Sequence, residues 1–230
     1  TDVQKIAAYE KKYGKEVYQQ ARSQINDHIG DSVLDLYTVG KLSGLTEVLF
    51  IERCIRLLKP GGRLGIVLPE GVLNNTNLQA VRELFEEMAK IILITSIPQD
   101  VFMASGATVK PSLLFFKKFT TEERAQFDAI KQAATEEVGS KYQSQLDKID
   151  SFLAERGNSA EEKKAKRAER RALETKIAAE IWAIVKEKFD YTIPIAQVEK
   201  AGITTTGAEC ENQLIDLLEE FTPYRRKHHM

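Results

Sequence analysis

Apolar side chains in the first half of the chain change from a helical spacing to an extended one. Residues 46–58 place apolar side chains three and four positions apart, which predicts an amphipathic helix. Pro60, Gly61 and Gly62 end this helix. The short apolar run at 63–68 that follows is typical of a strand covered on both faces. This order of helix, turn and buried strand predicts an α/β sheet.

Two more strands are predicted further along the chain. Asn77 is expected to be the N-cap of a second amphipathic helix, and strands follow at Ile91–Ser96 and Ser112–Phe116. The connection Pro98–Pro111 is too short for a helical crossover, so the last two strands are expected to be antiparallel neighbours. Residues 45–118 therefore predict a partial sheet of about three strands with at least one open edge.

Residues 119–190 predict a long α-helical hairpin. Thr120–Glu123 and Ser159–Glu162 both have the form Ser/Thr-x-x-Glu, a capping box that opens a helix. Apolar side chains recur at spacings of three and four after each box, and Gly157-Asn158 supplies the turn. The two helices are therefore expected to run antiparallel.

The two ends of the chain have a weaker pattern. Residues 1–44 are polar and weakly periodic, with a possible helix at Asp2–Ala21, and are expected to form an N-terminal arm or an insertion loop. Residues 191–230 predict an extended segment or small hairpin and then a terminal amphipathic helix. The apolar face of that helix, Leu214–Leu218, fits either a core or a docking surface for another subunit.

The overall charge gives no reason to expect binding to nucleic acid. Lysine and arginine number 33 against 34 acidic residues, for a net charge of -1. Lys163–Arg171, KKAKRAERR, is the one dense basic run. We interpret it as a solvated helix face near the hairpin tip rather than a phosphate-binding site, and contact with DNA stays open.

Cysteine content, hydropathy and the spacing of polar residues indicate the compartment of the chain and the kinds of site to expect. Cys54 and Cys210 are the only cysteines, too few for a disulfide framework or a zinc site, which favours a reducing cytoplasm. No apolar stretch approaches the roughly 18–20 residues that span a membrane. His28 has no partner at catalytic or metal-ligand spacing, and no serine has a His–Asp arrangement beside it. We therefore expect no metal and no nucleophilic catalysis.

Two segments resemble one enzyme family. Leu49–Lys118, which contains LLKPGGRLGIVLPEGVLNN and IPQDVFMASGATVKPSLLFF, resembles the catalytic domain of N6-adenine-specific DNA methyltransferases. The likeness is above all to the C-terminal part of the modification subunit of type I restriction–modification systems. Tyr191–Leu214, YTIPIAQVEKAGITTTGAECENQL, is similar to the segment that follows in those subunits. The resemblance implies a Rossmann-like methyltransferase sheet and methyl transfer from S-adenosylmethionine to adenine N6.

The resemblance also shows what the chain lacks. The family binds S-adenosylmethionine on a glycine-rich loop after its first strand and holds the adenine amine with an Asn-Pro-Pro-Phe/Tyr motif. No Asn-Pro-Pro occurs here, and Gly61-Gly62-x-x-Gly65 precedes a strand instead of following one. We therefore expect no catalytic residues in this chain. The motif and the S-adenosylmethionine loop are expected upstream of Thr1 in a full-length protein or on a separate chain, which leaves this chain inactive alone.

Five residues are candidates for a substrate pocket. The resemblance places Phe102 where the family stacks an aromatic ring on the flipped adenine, although Phe102 could instead only plug the sheet edge. Pro69, Glu70, Asn75 and Lys110 are expected near the pocket edge, because ligands bind beyond the carboxyl ends of strands in α/β sheets. Glu70 is also well placed to be a solvated carboxylate at a helix start.

The implied partners are DNA and the specificity and restriction subunits of a type I complex, with no membrane contact. The helical hairpin is expected to pack on the specificity subunit. Two other interpretations stay open: a non-catalytic helical-hairpin assembly module, and a methyltransferase for RNA or protein.

Overall fold

We describe residues 3–155 and 157–228 in a computed structural model of the chain. The chain divides into two compact units, Thr1–Glu52 and Arg53–Met230, and the boundary falls within one helix. The helices are α1 Val3–Tyr13, α2 Lys15–Asp27, α3 Thr46–Leu57, α4 Gly71–Asn74, α5 Gln79–Glu86, α6 Asp100–Met103, α7 Thr121–Ala154, α8 Ala160–Lys188 and α9 Gln213–Lys227. The strands are β1 Arg63–Pro69, β2 Ala89–Ser96, β3 Pro111–Lys118, β4 Ile195–Gln197, β5 Ala201–Ile203 and β6 Glu209–Asn212.

The first unit is more helical than its sequence pattern suggests. The helix expected at Asp2–Ala21 is two helices, because Gly14 between α1 and α2 has φ 88°, which ends the first helix. Asp2 itself lies outside the described residues. Beyond α2, Glu52 is fully buried and its carboxylate accepts hydrogen bonds from the backbone N–H groups of Thr38 and Val39, at 2.9 and 2.8 Å. These bonds tie a short 3₁₀ segment to α3.

The second unit is built on a mixed four-stranded sheet in the order β1-β3-β2-β4. β3 lies between β1 and β2 and runs antiparallel to both, with Ile66 opposite Leu114 and Leu114 opposite Ile94. The predicted antiparallel pairing of the last two strands is confirmed, as is the α/β class with a long helical hairpin. Leu114 and Phe116 are buried, and the Phe116 ring meets Phe85 of α5 edge-on at 6.4 Å.

Residues 45–118 contribute three strands, as expected, and the tail adds a fourth to the same sheet. The extended segment predicted in the tail contains β4, which adds to the outer edge of β2 in parallel. The Ile94 N–H donates to the Pro194 carbonyl at 3.1 Å, and the Val198 N–H donates to the Ser96 carbonyl at 3.0 Å. The predicted small hairpin is also present, as β5 and β6. Strand addition of this kind depends on partners far away in the sequence, which local patterns do not reveal.

The helix between β1 and β2 has a different N-terminal cap from the one expected. Asn75, not Asn77, accepts the capping bond: its Oδ1 receives the Asn77 N–H at 2.9 Å and opens a 3₁₀ turn, Thr76–Leu78. α5 continues from that turn at Gln79. An asparagine is a cap only where its own backbone is extended, and Asn75, at ψ 124°, meets that condition.

The helical hairpin begins and ends at one aromatic cluster. Phe119, Phe127 and Phe189 are buried, and their ring centroids lie 5.3–5.4 Å apart. Phe119 directly follows β3, and Phe189 is the C-cap of α8, so the cluster joins the two ends of the hairpin. Both capping boxes are present as predicted, at Thr120 and at Ser159. No helix in the described ranges is long and apolar enough to cross a membrane.

Lys90 connects this cluster to the sheet. Its ammonium group is 2.9 Å from the Glu123 carboxylate and lies over the rings of Phe189 and Tyr191, at 5.0 and 5.7 Å. Burial opposes ionisation of Glu123, but hydrogen bonds from the Thr120 backbone and from Lys90 outweigh it, so its pKa is lowered. The capping carboxylate of α7 therefore also binds a strand.

Tyr191 gives this region a distinct pH dependence. Burial raises the pKa of its phenol from 10.0 to about 12, partly opposed by the hydrogen bond from the Ile91 N–H at 3.2 Å. The folded protein thus keeps this proton at a pH where the unfolded chain loses it. The stability that this group contributes is complete below pH 10 and is lost as the pH rises towards 12.

We therefore expect Tyr191→Phe to flatten the alkaline decline in stability. Each pKa unit corresponds to about 1.4 kcal/mol, so the wild-type free energy of unfolding should fall by roughly 2 kcal/mol more than that of the variant. Urea denaturation at several pH values between 9 and 12 measures this difference. Tyr13→Phe, at an exposed position, is the matched control and should follow the wild type. Parallel curves for wild type and Tyr191→Phe would contradict the prediction.

Candidate functional site

One edge of the sheet brings several of the candidate residues together. β1 ends at Pro69 and β2 ends at Ser96, while β3 begins at Pro111. Because β3 is antiparallel to its neighbours, Pro69 pairs with Pro111, and Ser112 pairs with Ser96. The carboxyl ends of β1 and β2 thus face the same side, where α/β sheets bind ligands.

Glu70 and Lys110 form the polar part of this edge. The Glu70 N–H donates to the Lys110 carbonyl at 2.9 Å, which extends the β1–β3 ladder by one bond. Their side chains form an ion pair at 3.4 Å, with 35% and 46% of each side chain exposed. Glu70 also stands at the N-cap position of the short helix α4, which agrees with the expected helix-start carboxylate, although it makes no side-chain capping bond. Both side chains are accessible enough for a ligand group to replace one member of the ion pair.

Asn75 lies beyond α4, and both its side-chain and its backbone oxygen accept hydrogen bonds from nearby residues. Its Oδ1 caps the next turn, and its carbonyl accepts a hydrogen bond from the Arg82 guanidinium at 2.8 Å. The same guanidinium donates to the Val72 carbonyl at 3.1 Å. These bonds hold the α4–α5 connection in place. Asn75 therefore positions this connection.

Phe102 lies on α6, in the connection between β2 and β3. Its carbonyl closes the loop, since it accepts from the backbone N–H groups of Ser105 and Ala107, both at 3.1 Å. Gly106 has φ 86°, a backbone conformation that favours glycine. The side chain of Phe102 is partly exposed, and no aromatic ring contacts it in the described part of the chain. The loop thus presents an unstacked ring.

The tail approaches this loop, a contact that sequence reasoning did not predict. A side chain at Gly207, in the β5–β6 turn, would meet the Cβ atom of Ala104 at 3.5 Å. The small hairpin of the tail therefore lies beside the residues that follow α6. The one sequence signal for this contact was the similarity of Tyr191–Leu214 to a segment of the same family.

Gly40, Gly61 and Gly62 have roles in local backbone structure. Gly61 has φ 73° and its N–H donates to the carbonyls of Lys118 and Phe119, at 3.1 and 3.3 Å. A Cβ at Gly62 would lie 2.8 Å from the Lys59 carbonyl oxygen, and one at Gly40 would clash with the Leu34 carbonyl oxygen. Close backbone packing therefore explains these glycines, and the residues present do not fit an S-adenosylmethionine loop.

An apolar cavity lies on a face of the sheet, beneath α9. Its volume is about 370 Å³, and Leu93, Leu113 and Phe115 line its floor. The Thr95 hydroxyl is buried in this floor and has no hydrogen-bond partner among the described residues. Ion-binding groups of three or more His, Cys, Asp or Glu are absent from the same residues. The cavity could therefore hold an apolar group, but we identify no catalytic or metal-binding side chains in its lining.

Comparison with known proteins gives the family. A family model described as N-6 DNA Methylase matches residues 13–195. A crystal structure of a protein assigned to the class I S-adenosylmethionine-dependent methyltransferases, from Listeria monocytogenes, is 24% identical, with a TM-score of 0.34 over 38% of this chain and 27% of that one. A structure of a type I restriction–modification system, concerned with complex assembly and conformational transition, is 34% identical, with a TM-score of 0.30 over 33% of this chain and 16% of that one.

The chain spans about a quarter of the first matched structure and about a sixth of the second. A comparison with curated proteins finds no match. The family match, by contrast, extends from the end of α1 through strands β1, β2 and β3 and the whole helical hairpin to the start of β4. This chain belongs to the N-6 DNA methylase family.

Proposed function

We propose that this chain supplies the substrate-facing edge and the assembly elements of a type I DNA methyltransferase that methylates adenine N6. The observation that supports this most is the sheet edge, where the β2–β3 connection carries Phe102, approaches the tail hairpin at Ala104 and leads into Lys110, the ion-pair partner of Glu70. An enzyme that acts on a base inside a duplex must first flip it out, at a cost of a few kcal/mol in stacking. An exposed aromatic ring can recover about 1–3 kcal/mol of this.

The remaining parts of the reaction belong to another polypeptide segment in this proposal. The methyl donor, S-adenosylmethionine, would bind to a glycine-rich loop, and the adenine amine would be held by an Asn-Pro-Pro-Phe motif. Neither sequence occurs in the 230 residues. β1 pairs with β3 along one side, and its other side has no strand partner among the described residues. That edge can accept a strand of the complementing segment, since unpaired edge groups are a template for strand addition.

The proposal assigns different tasks to different segments of the chain. Residues 45–118 and the tail form the methyltransferase part, and residues 119–190 serve assembly with a specificity subunit that reads the DNA sequence. A restriction subunit would complete a cytoplasmic complex. The near-neutral charge of the chain suits this division, because target recognition is assigned to another subunit.

We expect the purified chain to transfer no methyl group to DNA. Transfer of labelled methyl from S-adenosylmethionine to duplex DNA measures this, with digestion to nucleosides to identify N6-methyladenine. Addition of a methylase segment that carries the Asn-Pro-Pro-Phe motif and the glycine-rich loop should restore the reaction. Methyl transfer by the 230-residue chain alone would contradict this division of labour, and methylation of RNA or protein by the restored enzyme would favour the alternative substrate classes.

In the restored enzyme, Phe102→Ala should lower kcat/KM for duplex DNA by about 5- to 150-fold, the equivalent of roughly 1–3 kcal/mol of lost stacking. Phe102→Tyr keeps an aromatic face and should retain most of the activity. Met103→Ala, at the exposed neighbouring position on α6, is the matched control. A substrate with the target adenine opposite a mismatch is easier to flip, so it should lose less activity in Phe102→Ala. Equal losses for Phe102→Ala and Met103→Ala would rule out a stacking role.

A further inference from the structure

The basic run of α8 contains two kinds of cation. Lys166 and Arg170 are paired: Lys166 lies 2.7 Å from Glu169, and Arg170 lies 3.2 Å from Asp150 of α7. The other four cations of the run have no carboxylate within ion-pair distance among the described residues: Lys163, Lys164, Arg167 and Arg171. The Arg170–Asp150 pair joins α8 to α7, whereas the Lys166–Glu169 pair lies within α8. Of the four unpaired cations, Lys163 is half-buried and the other three are exposed.

Lys164, Arg167 and Arg171 lie on one face of α8, because they are three and four residues apart. All three are exposed, and they span about 10 Å along the helix axis at 1.5 Å per residue. We call these three residues the α8 basic stripe. Ala160, Ala168, Glu174 and Thr175 share this face and are also exposed. The stripe is therefore a line of positive charge beside small side chains, with one carboxylate at its C-terminal end that lies 3.5 Å from Arg170.

This composition favours nucleic acid over an acidic protein surface. Protein partners are anchored by buried aromatic or apolar side chains, and the face that carries the stripe has none. A nucleic-acid backbone needs only a row of cations, because phosphates follow one another at regular short intervals. We propose that the α8 basic stripe binds the phosphate backbone of duplex DNA. The choice of duplex DNA rests on the proposed function.

The stripe contacts phosphates and reads no bases, so it adds affinity without sequence preference. The overall charge of -1 does not oppose this, since the cations are concentrated on one face. Each phosphate contact contributes about 0.9 to the slope of log affinity against log salt concentration. Three contacts therefore contribute a slope of about 2.7.

The test measures binding of the full chain to a fluorescent duplex by anisotropy between 50 and 200 mM salt. The triple variant Lys164→Gln, Arg167→Gln, Arg171→Gln should lower the salt slope by about 2 to 3. Its affinity for DNA should therefore be weaker than that of the wild type at low salt and approach it as the salt concentration rises. Over this range the wild type should lose roughly 30-fold more affinity than the variant. The charge-preserving variant Lys164→Arg, Arg167→Lys, Arg171→Lys should keep the wild-type slope.

The matched control replaces three paired cations of the same hairpin. Lys131, Lys141 and Lys186 lie 2.7, 2.8 and 3.2 Å from Glu87, Glu180 and Glu86, and their change to Gln alters the net charge equally. This control should keep a slope close to the wild type. Equal slopes for the two triple variants, no binding of the wild type to DNA at 50 mM salt, or equal stripe-dependent binding of polyglutamate would each overturn the proposal.

The stripe and the proposed function can fail separately. If the stripe variant binds DNA with the wild-type slope while the restored enzyme methylates adenine, the stripe proposal fails and the function stands. If the stripe binds DNA but no complementing segment restores methyl transfer, the proposed function fails and the stripe stands. Circular dichroism and thermal unfolding of each variant check that the exposed substitutions leave the fold intact.

Discussion

β3 is hydrogen-bonded on both sides, and most of the second unit depends on this arrangement. Its antiparallel insertion between β1 and β2 brings Pro111 beside Pro69 and leaves the carboxyl ends of β1 and β2 on one side. The connection that enters β3 must then cross that same edge, which places Phe102 there. The chain leaves β3 at the opposite end, at Phe119, where the helical hairpin begins. One strand thus separates the candidate site from the helical hairpin.

Local features of the sequence predicted most of the regular structure. The capping boxes at Thr120 and Ser159 depend on residues three positions apart, and the helices they open are found where expected. The antiparallel pairing of β2 and β3 followed from a short connection. β4 and the contact of Gly207 with Ala104 were not predicted, because both join segments distant in the sequence.

The candidate site was predictable only in part, for a similar reason. The resemblance supplied Phe102, and the expected ligand edge of the sheet supplied Pro69, Glu70, Asn75 and Lys110, but neither could show which of them interact. Strand register brings Glu70 and Lys110 to 3.4 Å, and no spacing rule links residues so far apart in the chain. The cap at Asn75 was missed because Asn74, Asn75 and Asn77 lie close together and only backbone conformation distinguishes them. The roles of these residues stay predictions.

The aromatic cluster of Phe119, Phe127 and Phe189 has a consequence for how such a protein can change over evolutionary time. It fixes the beginning of α7 against the end of α8, so the two ends of the helical hairpin lie close together. The hairpin is therefore an excursion from the sheet, and the entropy of closing a longer excursion grows only slowly with its length. Relatives could lengthen, shorten or replace the hairpin in whole turns while the sheet keeps its register. Members of the family should then differ more in the length of the hairpin than in the aromatic cluster at its base.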